Sequence, residues 1–202
     1  MCGCTFDFSH KGTIKMKEFR EHLRKLIFAA MFLAIAYVLP FITANIPEIG
    51  QMLCPMHIPV LLCGFVCGWQ WGLIVGFTAP LLRSVTLTMP PFYPGAVAMA
   101  FELAVYGLMA GILYRLLPKK LPVVYVDLVV AMVVGRIVWG TARFVMAGLD
   151  SNQSFELAAF WSGAVTTAIP GIIVQLVLIP AIVCALARAG LVLNRENKEK
   201  QL

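Results

Sequence analysis

Between Leu26 and Ala187 the chain is a succession of apolar runs broken only by short connections. That pattern narrows the possible folds more than any motif does. A segment that leaves water must satisfy its own backbone N–H and C=O groups, so it either coils into an α-helix or closes into a barrel. The runs here are long and continuous, not alternating, and this selects helices. Only 13% of the residues are charged and 60% are hydrophobic, whereas a soluble domain carries about 25% charged residues. At roughly 20 residues per crossing, the 202 residues hold about six helices and no separate soluble domain.

The expected fold is therefore an all-α integral membrane protein with six transmembrane helices. Residues 1–25 form a basic leader, 26–187 the six-helix membrane domain, and 188–202 a basic tail. Apolar periodicity places the helices at about 26–44, 57–68, 71–88, 96–114, 123–147 and 157–187. The second is short for a full crossing. Pro40, Pro170 and Pro180 are candidate kinks.

Orientation follows from the basic residues. All sixteen Lys and Arg except Arg83, Arg136 and Arg143 lie in the leader, the 115–122 connection or the tail. The connections after helices one, three and five hold none. Both termini are thus expected in the cytoplasm of a multi-pass plasma-membrane protein, with the lipid bilayer as its surroundings. The net charge of +6 is topology, not a nucleic-acid footprint.

The leader is polar through Lys25 and lacks a small-residue cleavage site, so it does not read as a signal peptide. Met16 begins a second candidate start, Met-Lys-Glu-Phe-Arg. Six cysteines give no disulfide framework: Cys63, Cys67 and Cys184 sit inside apolar helices, where cysteine acts as a small hydrophobe. Cys2 and Cys4, even with His10 nearby, fall short of a zinc site. No metal or cofactor is expected.

The most irregular stretch is 53–83. It enters through Pro-Met-His-Ile-Pro, turns at Gly68-Trp69-Gln70-Trp71-Gly72, and carries Gly64, Gly68, Gly72 and Gly76 at intervals of four. Small residues at that spacing let helix backbones approach closely in a membrane. Ala30 and Ala34 form a similar small pair on the first helix.

Ionisable groups inside spans are costly and point to function. Counting 1.5 Å per residue from the outer helix ends, Arg83 lies roughly 8 Å deep, Glu102 roughly 9 Å, Arg143 roughly 6 Å and Arg136 roughly 16 Å. Asp127 falls near the cytoplasmic end and reads as an interfacial or helix-start acid. Arg136, Trp139, Gly140 and Arg143 share one helix face. An indole between two guanidinium groups suits a planar or carboxylate-bearing ligand. Glu102 can neutralise one arginine, with Arg83 the expected partner from its matched depth. The surplus positive charge then calls for an anionic ligand or for loop acids folding inward. His57 at the mouth of helix two is an interfacial hydrogen-bonder or a ligand contact. Thr166, Thr167 and Gln175 are candidates to line the same cavity. No HExxH, GxSxG or P-loop occurs, and no acidic cluster is suited to magnesium and phosphates. Active transport by this chain would need energy from a partner.

Several segments, in order, resemble a known family: Ala30-x-x-x-Ala34, PMHIPVLLCGFVCGW (55–69), GLIVGFTAPLLRS (72–84), MAFELAVYGLMAG (99–111) and GRIVWG (135–140). Together with the size and the short second helix, they look like the substrate-binding S component of energy-coupling-factor vitamin transporters, in the branch that includes pantothenate and folate proteins. The likeness covers about residues 20–190. It implies high-affinity capture of a small-molecule vitamin, docking on a transmembrane coupling subunit with two ATPase subunits, and no enzymatic activity. It also implies that Ala30 and Ala34 form the docking pair. The implied pocket takes in the 45–56 loop with Asn45 and Gln51, then Glu102, Arg136, Trp139 and Arg143, with Arg83 supporting Glu102. Pantothenate is the first expected substrate, with folate or a pyridoxine-related compound as rivals. A stand-alone secondary carrier is the alternative class.

Overall fold

A computed structural model describes residues 7–43, 55–88, 90–117, 121–149 and 169–195. Its regular elements among these residues are all helical: α1 (Asp7–Thr43), α2 (His57–Cys67), α3 (Trp69–Leu87), α4 (Val97–Leu116), α5 (Leu121–Leu149) and α6 (Ile169–Arg188). A wide π-type turn, Phe92–Ala96, leads into α4, and a short 3-10 turn, Leu193–Arg195, follows α6. Among the described residues, four segments are long and apolar enough to cross a membrane: Glu18–Pro40, Phe92–Leu116, Pro122–Gly148 and Gly171–Arg188. At 11 residues, α2 reaches only about 16 Å, half of a ~30 Å hydrocarbon core.

Two boundaries differ from expectation. Helix α1 begins at Asp7, not Leu26, so the basic leader continues the membrane helix. The expected Gly68–Gly72 turn contracts to Gly68 alone, whose φ of 100° lies where side-chain-bearing residues are strained. Its N–H still bonds to Gly64 O at 3.1 Å, and α3 starts at once. Residues 157–168, the expected beginning of helix six, lie outside the described residues.

The short helix is the centre of the bundle. Every residue of α2 is buried, and α1, α3, α4 and α6 all pack on it. Lipid tails are as apolar as these side chains, so close packing holds the helices together, with no gain from leaving water. The expected close contacts are present at Gly64, Gly72 and Gly76, and their partner is α4, whereas Gly68 faces Asn194. A Cβ on Gly64 would lie 2.5 Å from Gly107 O, and Gly72 and Gly107 face each other backbone to backbone. Phe65, Leu61, Leu103, Tyr106, Leu128 and Ile179 fill the space around this seam.

The connections fix which helix ends lie together. Ser84 Oγ donates to Pro90 O at 2.8 Å, and Tyr93 Oη donates to Met146 O at 3.2 Å, tying the α3–α4 connection to α5. On the opposite side Asn194 Nδ2 donates to Gly111 O at 3.1 Å. The end of α4, the start of α5 and the end of α6 therefore share one side, the one that carries Arg115 and Arg188.

Asp127 departs from its expected interfacial place. It is buried at 1% exposure, on the α5 face that also buries Val124, Leu128 and Ala131. Neither of its carboxylate oxygens has a hydrogen-bond partner.

Candidate functional site

Three helices bring a polar cluster into the bundle. On α4, Glu102 and Tyr106 are one turn apart and share a face. Both are buried, and Tyr106 Oη donates to Glu102 Oε1 at 2.8 Å. Helix α5 supplies Arg136, whose Nη1 stands 3.2 Å from the same Oε1. Helix α2 supplies His57 from its first residue, with Nε2 3.6 Å from that oxygen. The His57 and Tyr106 rings lie 5.1 Å apart between centroids. The Tyr106 ring thus touches the histidine while its hydroxyl steadies the carboxylate.

Local sequence explains each placement. Pro59 falls in the first turn of α2, where a missing N–H costs nothing, and lets the helix begin deep in the bundle at His57. Gly135 precedes Arg136 and lies against the Tyr106 ring, where a methyl group would overlap the ring carbons. The glycine therefore seats the tyrosine, and the tyrosine orients the glutamate.

The expected partner of Glu102 is corrected here. Glu102 pairs with Arg136 and not with Arg83, because α5 packs on the Glu102 face of α4. Arg83 Nη1 meets Met56 Sδ at 3.7 Å, and its buried Nε has no hydrogen-bond partner. Arg83 thus joins the cluster only through the neighbour of His57.

Two turns beyond Arg136, about 10 Å along α5, Arg143 holds its guanidinium 5.8 Å from the centre of the Trp139 ring. Both residues are half-buried. The stripe Arg136–Trp139–Arg143 is therefore one surface with two different ends. The deep end is charge-paired. The other end presents a cation on an indole with no ion pair among the described residues.

The remaining expectations divide plainly. Gln175 is buried at 2% exposure, and its Oε1 has no hydrogen-bond partner. Ala30 and Ala34 are exposed, while Ala29, Phe32 and Ala36 on the opposite face of α1 pack inward. Asn45, Gln51, Glu48, Thr166 and Thr167 lie outside the described residues. Tyr106 was missed by sequence reasoning, although its hydroxyl one turn from a membrane-depth glutamate was the available signal. Among the described residues no three His, Cys, Asp or Glu side chains group as metal ligands.

A buried carboxylate held by a guanidinium, an imidazole and a phenol is built to be rigid; it offers no activated nucleophile. The arrangement can bind, and orient what it binds. A family model described as "ECF transporter, substrate-specific component" matches residues 24–183. No curated protein and no solved structure matches the chain.

Proposed function

The chain belongs to the substrate-specific components of ECF transporters, and from that membership we propose that it captures a small anionic vitamin or vitamin precursor, with pantothenate as the first candidate. The protein is a transporter component and not an enzyme. Components of this family bind small molecules and pair with ECF transmembrane and ATPase subunits.

One observation carries the anionic ligand. Of the three arginines within the bundle, only Arg136 reaches Glu102, and Arg143 stands on Trp139 without an ion pair among the described residues. A guanidinium in a low-dielectric setting gains most from a carboxylate or phosphate, which it can grip with two parallel hydrogen bonds. The stacked indole holds the fork in place before the ligand arrives. Pantothenate has one carboxylate and matches one spare cation; folate and pyridoxine-related compounds are the rival ligands.

The basic side of the molecule faces the cytoplasm, so the Arg143 end of the stripe opens outward. Asn45 and Gln51 are further candidate ligand contacts, and both lie outside the described residues. The exposed Ala30–Ala34 face of α1 receives the coupling subunit, because small side chains allow close helix contact there.

The test is equilibrium binding of pantothenate, folate and pyridoxine to the purified protein. Pantothenate is expected to bind tightly, and Arg143→Ala to weaken it about 10- to 100-fold, the worth of one charged hydrogen-bonding group. Unchanged affinity in Arg143→Ala would remove the basis of the proposal. Uptake into vesicles containing this chain without ATPases would instead establish the stand-alone carrier.

A further inference from the structure

Helix α1 carries an apolar seam that does not stop where the membrane does. Met16, Phe19, Leu23, Leu26, Ala30 and Leu33 follow one another at alternating steps of three and four residues, which puts all six on one helix face. Ala29, Phe32 and Ala36 pack inward from the other side of α1. Lipid tails cover Leu26, Ala30 and Leu33 at no cost. Arg20, Glu21, Arg24 and Lys25 keep their stretch out of the hydrocarbon, so that cover ends near Leu26. Phe19 and Met16 stand about 10 and 15 Å further along the helix axis, on the basic side. They are 66% and 67% exposed. Helix α1 is one helix from Asp7 to Thr43, with its only proline at Pro40, so residues 16–23 continue the direction of the span. They do not lie down in the interface as an amphipathic surface helix does. Large apolar side chains left in water at this spacing mark a contact with another protein.

We propose that α1 docks along the whole seam from Leu33 to Met16, about 26 Å, against a helix of the coupling subunit that itself passes from the bilayer into the cytoplasm. Alternating steps of three and four fit a helix running alongside α1 at a small crossing angle, each seam side chain filling a gap in the facing helix. The residues beside the seam select the partner. Positions 20, 22, 27 and 29 are Arg, His, Ile and Ala, while Glu18 and Glu21 lie off the seam. A second copy of the chain would set basic residues against basic residues; a groove lined by acidic residues gains from them. Members of this family pair with transmembrane and ATPase subunits, and only a membrane-spanning partner that also reaches the cytoplasm covers both halves of the seam. This inference rests on the reading of Ala30 and Ala34 as the docking face, and it carries that face out of the membrane to Leu23, Phe19 and Met16.

The experiment co-expresses the full chain with an affinity-tagged coupling subunit and its two ATPases, and measures how much chain is retained on the tag. Met16→Ser with Phe19→Ser is expected to lower retention at least about tenfold, which the burial of two large apolar side chains readily supplies. Thermal unfolding of the isolated variant should match the wild type, because both side chains are exposed in it. If the double variant does not fold, Phe19→Gln takes its place. Undiminished retention of the folded variant overturns the proposal. A benzophenone amino acid in place of Phe19 then identifies the neighbour by light-induced cross-linking. An adduct with the coupling subunit supports the proposal; an adduct with a second copy, with lipid alone or with nothing overturns it. Ala30→Leu with Ala34→Leu, run alongside, separates the two claims. Retention lost only in the alanine variant keeps the docking face within the membrane and overturns its extension. Retention lost only in the serine variant keeps the contact outside the membrane and sinks the alanine pair.

Discussion

Arg136 and Glu102 reach across from α5 to α4 and stand 3.2 Å apart, with the Glu102 side chain only 2% exposed. This pair decides the electrostatics of the whole site. It uses the one acid in the cluster on Arg136 and leaves Arg143 on Trp139 without an ion pair among the described residues. Removing either partner strands a charge away from water. Glu102→Ala or Arg136→Ala should therefore lower stability by about 3–5 kcal/mol, whereas the double change Glu102→Gln with Arg136→Met should recover much of it. Thermal unfolding in one detergent compares the three; additive losses in the double variant would show that the pair is not coupled.

The Gly135–Tyr106 contact should be equally sensitive. Gly135→Ala places a methyl group inside the Tyr106 ring, and overpacking of this kind costs about 1–3 kcal/mol. Because Tyr106 orients Glu102, the ligand should also bind more weakly. Pairing Gly135→Ala with Tyr106→Leu frees the space, and its stability should exceed that of the glycine variant alone. Calorimetry on the two proteins would decide it.

Asp127 predicts the opposite sign. Its two oxygens are buried without partners, and leaving a polar group in that condition costs about 1–3 kcal/mol. Asp127→Leu, which removes the group at similar bulk, should raise the unfolding temperature and leave ligand affinity unaltered. A marked loss of stability would mean that the carboxylate is satisfied in the membrane.

Docking can be separated from binding on α1. Ala30→Leu with Ala34→Leu adds bulk only to the exposed face, so ligand affinity should be unchanged while uptake in cells with the coupling subunit and ATPases falls to background. Reduced affinity in that variant would assign this face of α1 to the pocket.

The helical architecture was legible because the membrane leaves a chain few options: apolar run lengths carried most of it. The stripe on α5 was also legible, since Arg136, Trp139 and Arg143 share a helix and their spacing fixes their face. What the sequence could not show is which residues meet between helices. Depth counting paired Glu102 with Arg83, because depth says nothing of rotation about a helix axis; the packing of α5 on α4 gave the carboxylate to Arg136. The same blindness hid Tyr106 and put Asp127 at the interface, although its face of α5 turns inward. Gly68 was read as the first residue of a five-residue turn, and its role as the whole of that turn depends on its φ.

That single-residue turn also constrains how the protein is made. An 11-residue helix is too short to be recognised as a membrane segment on its own, and one glycine gives no slack for α2 and α3 to enter lipid one after the other. The two must leave the insertion machinery as a preformed hairpin. Its short arm packs on α1 and α3 but has its glycine seam uncovered until α4 is synthesised and closes against it. Synthesis of α4 is thus the step at which the first half of the molecule commits to the bilayer.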